Sequence, residues 1–328
     1  MKNAKAVSAL LILVSCTPAF AASEEQTNQT FRISSGGSIV VDVDPGTIDV
    51  STNAAPGEVA VSAWRRVTRK DKQAEEKFLR DNPVQFTVDG NTLTVRCRNK
   101  EEHRWFGFRA NRNEAKYTIR VPARFDARLN SAGGGIEVND LSGSVNAHTS
   151  GGELRFARLR GPLDGGTSGG AIRVADCDGT IKIGTSGGRI EATGGGGSLD
   201  GDTSGGSVTV RNFAGPASVE TSGGGITIEN VKGKVRASTS GGPIEAALLS
   251  PVPGEVTLST SGGSVTVKAP ASAVFDLDAE TSGGGVTCDL PVTVQGKMEH
   301  DHLKGQVNGG GPLVVLRSSG GGIHVRKE

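Results

Sequence analysis

Three groups of side chains in this chain have the types and spacing to do chemistry. Asp200 and Asp202 sit two residues apart, and Glu220 follows Asp202 after 18 residues. On a β scaffold that spacing gathers the three carboxylates, as glycoside hydrolysis, lyase chemistry or Ca²⁺ binding requires. Lys182 and Arg236 fall at the same spacing around Asp200, so an alternating, solvated charge face is the competing reading. His300 and His302 flank Asp301, and His-x-His on a strand would turn both rings to one side, as a metal ion needs. No cysteine or second histidine pair carries matching spacing, which makes a polar surface loop the alternative. Arg104, Trp105, Phe106, Phe108 and Arg109 alternate rings with cations, which suits contact with carbohydrate, lipid headgroups or protein. The same rings could instead fold down as an apolar plug.

The elements that would position these residues repeat. Thr149-Ser150-Gly151-Gly152 returns at Thr167, Thr185, Thr203, Thr221 and Thr239, each 18 residues on. Ser131-Ala132-Gly133-Gly134 is a degenerate copy one period earlier, and Thr260, Thr281 and Ser318 follow after steps of 21, 21 and 37. With the Thr as position zero, positions 5 and 7 are apolar in nearly every copy (Ile172 and Val174, Val208 and Val210, Ile226 and Ile228). Position 14 is apolar as well, position 10 is mostly so, and position 12 is Gly from Gly143 to Gly233. Alternation over three or four residues marks a short strand with one buried face. The glycines mark corners where a Cβ would not fit.

One such unit cannot bury its apolar side alone, whereas a stack of them can. Antiparallel hairpins would need turns that alternate in type, and here the same residue returns at every corner. The chain is therefore expected to be all-β: a parallel β-solenoid with 18-residue coils about 4.8 Å apart. Ten copies at that spacing predict a rod roughly 45–50 Å long. A core this narrow suits the 4% aromatic content, and the 49 glycines are periodic corners, not disorder. A hydroxyl ladder could suggest ice binding, but outward position 6 runs Glu137, Arg155, Arg173, Glu191, Thr209, too mixed for that.

The start of the chain has its own logic. Lys2 and Lys5 precede an apolar run from Ala6 to Val14 and the small-x-small pattern Ala19-Phe20-Ala21. Residues 1–21 read as a secretory signal peptide, too short to span a membrane. Leu13-Val14-Ser15-Cys16 also fits a bacterial lipobox, so cleavage after Ala21 and lipidation at Cys16 both stay open. No other stretch could span a membrane, so membrane anchoring is expected only if Cys16 is lipidated. Of 36 basic residues, losing Lys2 and Lys5 leaves 34 against 35 acidic, a balance that argues against nucleic-acid partners. Cys177 and Cys288 occupy inward positions in distant coils, so no disulfide is expected between them. Residues 22–126 read as a β-rich cap with one short helix over 70–81, N-capped by Thr68 and ended by Pro83; residues 127–328 read as the solenoid. Asp89-Gly90-Asn91 signals a hairpin between Val84–Val88 and Thr92–Arg98. The charges of the closing His324-Val325-Arg326-Lys327-Glu328 would discourage end-to-end pairing.

Three stretches carry a family resemblance: Tyr117-Thr118-Ile119-Arg120-Val121-Pro122 before the first coil, the Thr-Ser-Gly-Gly corners, and the closing segments. The latter are Gly305-Gln306-Val307-Asn308-Gly309-Gly310-Gly311 and Ser318-Ser319-Gly320-Gly321-Gly322-Ile323. Over about residues 30–328 the chain resembles the bacterial "putative adhesin" β-strand-repeat family, an envelope domain of unknown function. The resemblance implies a β-helix-like fold and an envelope location, and it supplies no catalytic residues. No nucleophile elbow, phosphate loop, dinucleotide fingerprint or zinc-protease helix occurs in the sequence. The resulting expectation is an exported, non-enzymatic β-solenoid, periplasmic, secreted or on the cell surface. It would act without cofactor as an adhesin or envelope scaffold whose partner is a surface protein or glycan. A polysaccharide-active β-helix enzyme and a self-assembling filament are the alternatives.

Overall fold

A computed structural model describes residues 22–44, 46–52, 55, 57–98, 112–294 and 299–328. It divides into two compact units, Met1–Gly152 and Glu153–Glu328.

The second unit is built from coils named here by the Thr or Ser that closes each first strand. In the Thr185 coil, Asp178–Thr185 is one strand and Ile190–Thr193 the next, with the Ser-Gly-Gly corner between them. All first strands lie in one parallel sheet and all second strands in another. Ile172 pairs with Ile190, Ile190 with Val208, Val208 with Ile226, and Ile226 with Ile244. Those side chains are all buried, as the period of two requires of a one-sided strand. Opposite them Ile181, Leu199, Ala217 and Val235 stack in the same way. Large residues face small ones across the core: a Cβ on inward Gly165 would come 3.0 Å from the ring of buried Phe156.

The repeated Thr is buried, and its hydroxyl ties two coils together. Thr203 Oγ1 donates to the carbonyl of Gly188 one coil back at 2.8 Å, and accepts the N–H of Gly206 in its own corner at 3.2 Å. Thr185, Thr221 and Thr239 repeat both bonds. The two corner glycines are not equivalent. A Cβ on Gly206 would fall 1.9 Å from the Gly188 carbonyl oxygen, whereas one on Gly205 would meet nothing closer than 3.6 Å. In the regular 18-residue coils only the second glycine is required for stacking; in the Thr281 coil the first is too, since a Cβ on Gly283 would fall 2.6 Å from the Ser319 carbonyl oxygen.

A third corner lies at position 9, where Asp176, Asn212 and Asn230 take φ of 51°, 54° and 55° and Gly194 takes 69°. Asp, Asn and Gly tolerate this left-handed region best. Arg158 takes the same conformation at 54°, so residue type alone does not mark this corner in the sequence.

Coil order in space departs from chain order at the C-terminal end. The Ser318 coil (Leu313–Ser318 and Ile323–Lys327) is threaded between the Thr260 and Thr281 coils: Leu258 pairs with Leu316, and Leu316 with Ala279. The other sheet agrees, with Val265 pairing Ile323 and Ile323 pairing Val286. From Thr260 to Thr281 the chain climbs two rungs, about 9–10 Å, which the three extra residues of the 21-residue step help to span. The 37-residue step then holds Val292–Val294 and His302–Val307, an antiparallel pair laid outside Phe275–Thr281, before the chain turns back at Asn308 into the slot. The Thr281 coil, not the charged C-terminus, is therefore the last coil of the stack.

The first unit repeats this device. Its strands are β1 (Ser23–Arg32), β2 (Gly37–Val43), β3 (Thr47–Ser51), β4 (Glu58–Thr68), β5 (Gln85–Asp89), β6 (Thr92–Cys97), β7 (Arg112–Arg120), β8 (Phe125–Ser131), β9 (Ile136–Asn139) and β10 (Val145–Thr149). Strands β2 and β3 form a coil in register with β8 and β9: Val43 pairs with Ser131 and Ile48 with Ile136. They are also flanked by β6 and β7. Within the stretch that reads as an irregular cap, residues 37–51 are thus one more coil. Its corner carries Val43 in place of Thr but keeps Gly46, whose carbonyl accepts the Ser131 hydroxyl at 2.7 Å.

Helix α1 (Lys72–Asp81) begins after Asp71, whose carboxylate accepts the N–H of Ala74 at 2.8 Å. Thr68 is not the cap because it still belongs to β4. Asn82 caps the other end, just before Pro83. The hairpin between β5 and β6 turns at Gly90, with φ of 57°.

Candidate functional site

The carboxylate cluster is where the repeat predicts. Asp202 pairs directly with Glu220, Lys182 with Asp200, and Asp200 with Ser218. Asp200, Asp202 and Glu220 are all exposed on the outer face of their sheet. Outward positions 6 and 8 of the other sheet carry ion pairs along the stack. Arg173 joins Glu153 and Glu191, the latter at 2.9 Å, and Arg211 joins Glu229 at 2.8 Å. The Arg211 hydrogen bond, first among the causes, holds the Glu229 carboxyl below its ordinary value. These faces are ladders of solvated charge repeating at the coil spacing.

The two histidines of Glu299-His300-Asp301-His302 do not act as a pair. His302 heads its strand opposite Glu280, with its Nε2 3.8 Å from the Asp278 carboxylate. His300 lies at the other sheet, where its carbonyl accepts the N–H of Val286 and its ring rests over Gly285. No cluster of three or more His, Cys, Asp or Glu suited to a metal occurs among the described residues. The aromatic group Arg104, Trp105, Phe106, Phe108 and Arg109 lies outside the described residues, as do Cys16 and the signal segment.

A buried polar cluster in the first unit was not visible in the sequence. Arg65 is 4% exposed; it donates to the Asn82 carbonyl and to the Glu25 carboxylate, and lies 3.5 Å from the Cys97 sulfur. With Asn113, Tyr117 and Phe78 it lines a cavity of ≈ 20 Å³. Arg65 Nε, Asn113 Oδ1 and the fully buried Tyr117 hydroxyl have no hydrogen-bond partner, and burial pushes the phenol well above its ordinary pKa. Volume and lining suit about one water bridging the three groups. Glu75 locks the adjoining helix by accepting from the backbone and hydroxyl of Ser23 and from the Arg69 N–H. Arg65, Glu25 and Tyr117 come from three strands that only the tertiary fold brings together, so no local pattern could reveal them. The thiols of Cys97, Cys177 and Cys288 are free, and burial raises those of Cys177 and Cys288.

The sequence profile of Toastrack DUF4097 matches residues 37–326, which takes in the intercalated coils at both ends. The chain belongs to the Toastrack DUF4097 family. No curated protein matches it significantly. Solved structures similar to this Toastrack chain include a "putative adhesin" from Bacteroides fragilis NCTC 9343, at 13% identity and a TM-score of 0.30, covering 94% of this chain and 99% of that one. A "putative lipid binding protein" from Parabacteroides distasonis ATCC 8503 shows 13% identity and a TM-score of 0.34 over 92% and 96% of the two chains. A "putative cell adhesion protein" from Clostridium sporogenes ATCC 15579 shows 11% and 0.21 over 93% and 100%. Among the described residues, no helix is long and apolar enough to cross a membrane.

Proposed function

We propose that this chain is an exported, non-enzymatic envelope protein that binds or scaffolds surface components, protein or glycan, without a cofactor. One observation carries the reading. The coils hold outward side chains in register on two sheets at one coil spacing, so a ligand with its own repeat can meet a contact at every rung. Many weak, evenly spaced contacts sum to useful avidity where each alone would not. The open placement of Asp200, Asp202 and Glu220 supports a contact face more than a site enclosing a sugar ring. The N-terminal residues 1–21 support export, with Ala21 cleavage and Cys16 lipidation as the two routes. Arg104, Trp105, Phe106, Phe108 and Arg109 remain the proposed aromatic contact group.

The test is a glycan-array and whole-cell binding assay with the full chain, beside variants Trp105→Ala and Asp202→Ala. Binding that falls in either variant supports the reading. Hydrolysis or elimination of a polysaccharide, lost in Asp202→Ala, would replace it with the enzymatic one. Mass spectrometry of the mature N-terminus decides the export route.

A further inference from the structure

The C-terminal intercalation brings together two histidines that are 24 residues apart in sequence, His300 and His324. His324 lies at outward position 6 of the Ser318 coil, paired with Thr287 of the Thr281 coil. Its Nδ1 lies 2.9 Å from the Thr287 hydroxyl, which fixes the ring and leaves Nε2 as the open nitrogen. That Nε2 leans over Gly322: a Cβ there would fall 3.1 Å from it. His300 leans over Gly285 in the same manner, since a Cβ there would lie 2.7 Å from its Cε1 and 2.9 Å from its Nε2. Gly285 and Gly322 immediately precede the paired residues Val286 and Ile323, and the Ile323 N–H donates to the Gly285 carbonyl at 3.0 Å. Two imidazoles therefore lie with their Cε1–Nε2 edges against one pair of facing glycines, in room that any Cβ would fill.

We propose that His300 and His324 form a two-imidazole site for a divalent transition-metal ion of the Zn²⁺ or Ni²⁺ type, taken through Nε2 of each ring. Imidazole is a donor such ions take, and a hydrogen bond at the far nitrogen, here to the Thr287 hydroxyl, orients a ligating histidine. Two protein ligands leave coordination positions for water, or for a donor on whatever the surface contacts. The histidines differ from the His300 and His302 pair that spacing alone suggests, because His302 belongs to the opposite sheet beside Asp278.

The test is calorimetric titration of the tag-free full chain with Zn²⁺ and with Ni²⁺, alongside imidazole ¹⁵N shifts. One equivalent is expected to bind, shifting the Nε2 resonances of His300 and His324. His300→Ala and His324→Ala should each weaken binding at least tenfold, and His302→Ala should leave it unchanged. Gly285→Ala removes no ligand, yet its Cβ displaces the His300 ring, so it too should weaken binding. Thermal unfolding of each variant checks that the fold is kept. No binding of either ion, an equal loss in His302→Ala, or full binding in His300→Ala/His324→Ala would each overturn the proposal.

Discussion

Replacing Thr221 by Val tests the hydroxyl ladder at its most buried rung. Thr221 is 1% exposed; its Oγ1 donates to the Gly206 carbonyl at 2.8 Å and accepts the Gly224 N–H at 3.2 Å. Valine has nearly the same shape but deprives both backbone groups of that partner. Each buried group so deprived costs about 1–3 kcal/mol. The methyl that replaces the hydroxyl returns about 0.8 kcal/mol. Thr221→Val should therefore destabilise the second unit by about 1–5 kcal/mol. Thr221→Ser keeps both hydrogen bonds and loses one methyl, which should cost about 1 kcal/mol. The molecule already contains this control: Ser318 donates to Gly263 at 2.9 Å and accepts from Gly321 at 3.0 Å. Urea unfolding followed by circular dichroism, with slopes compared before midpoints, gives both values. If the Val variant matches or exceeds the Ser variant in stability, the hydroxyls are not what joins the coils.

Further outcomes follow from the same geometry. Gly206→Ala should destabilise by about 1–3 kcal/mol or more through overpacking, and Gly205→Ala by far less; equal midpoints would refute the inequivalence of the two corner glycines. Asn230→Ala should cost about 1–2 kcal/mol at its φ of 55°, and Asn230→Gly much less, read by the same unfolding assay. The Glu229 carboxyl is held below its ordinary value by Arg211, so the stability that pair adds is present above the unfolded-state pKa and is lost as pH falls through the folded one. An NMR titration of Arg211→Met should show Glu229 rising toward the ordinary glutamate range; an unchanged Glu229 would remove Arg211 as the cause. The Cys177 thiol, buried and raised in pKa, should resist alkylation in the folded chain and react once the chain is unfolded.

What the sequence shows and what it hides divide along physical lines. The solenoid is legible because stacking in register demands the same residue type at the same position, as Ile172, Ile190 and Val208 display. The place of the Ser318 coil is not, because its pairing with both Leu258 and Ala279 is a choice among slots of identical pattern. Residues 37–51 escape notice since Val43 stands where the motif has Thr, although Gly46, Ile48 and Val50 keep the spacing. The outward carboxylates Asp202 and Glu220 were legible as neighbours from one period of 18. The approach of His300 to Gly285 was not, since it depends on a side chain that is missing and on a loop that crosses to the other sheet. Arg65, Glu25 and Tyr117 meet through three strands with no shared period at all.

The central claim is that like positions stack in register, with the last coil of the chain inserted between the two before it. Paired cysteine substitutions test this directly. Ser259 pairs with Arg317, and Arg317 with Glu280, whereas Ser259 and Glu280 stand two rungs apart. A disulfide reaches across about 4.8 Å but not across two rungs, since its Cα atoms must lie within about 7 Å. Mild oxidation, with mass spectrometry of the cross-linked peptides, should show disulfides in Ser259→Cys/Arg317→Cys and in Arg317→Cys/Glu280→Cys, and none in Ser259→Cys/Glu280→Cys. Cross-linking in the third variant, with none in the first, would show the coils stacked in chain order and contradict the account.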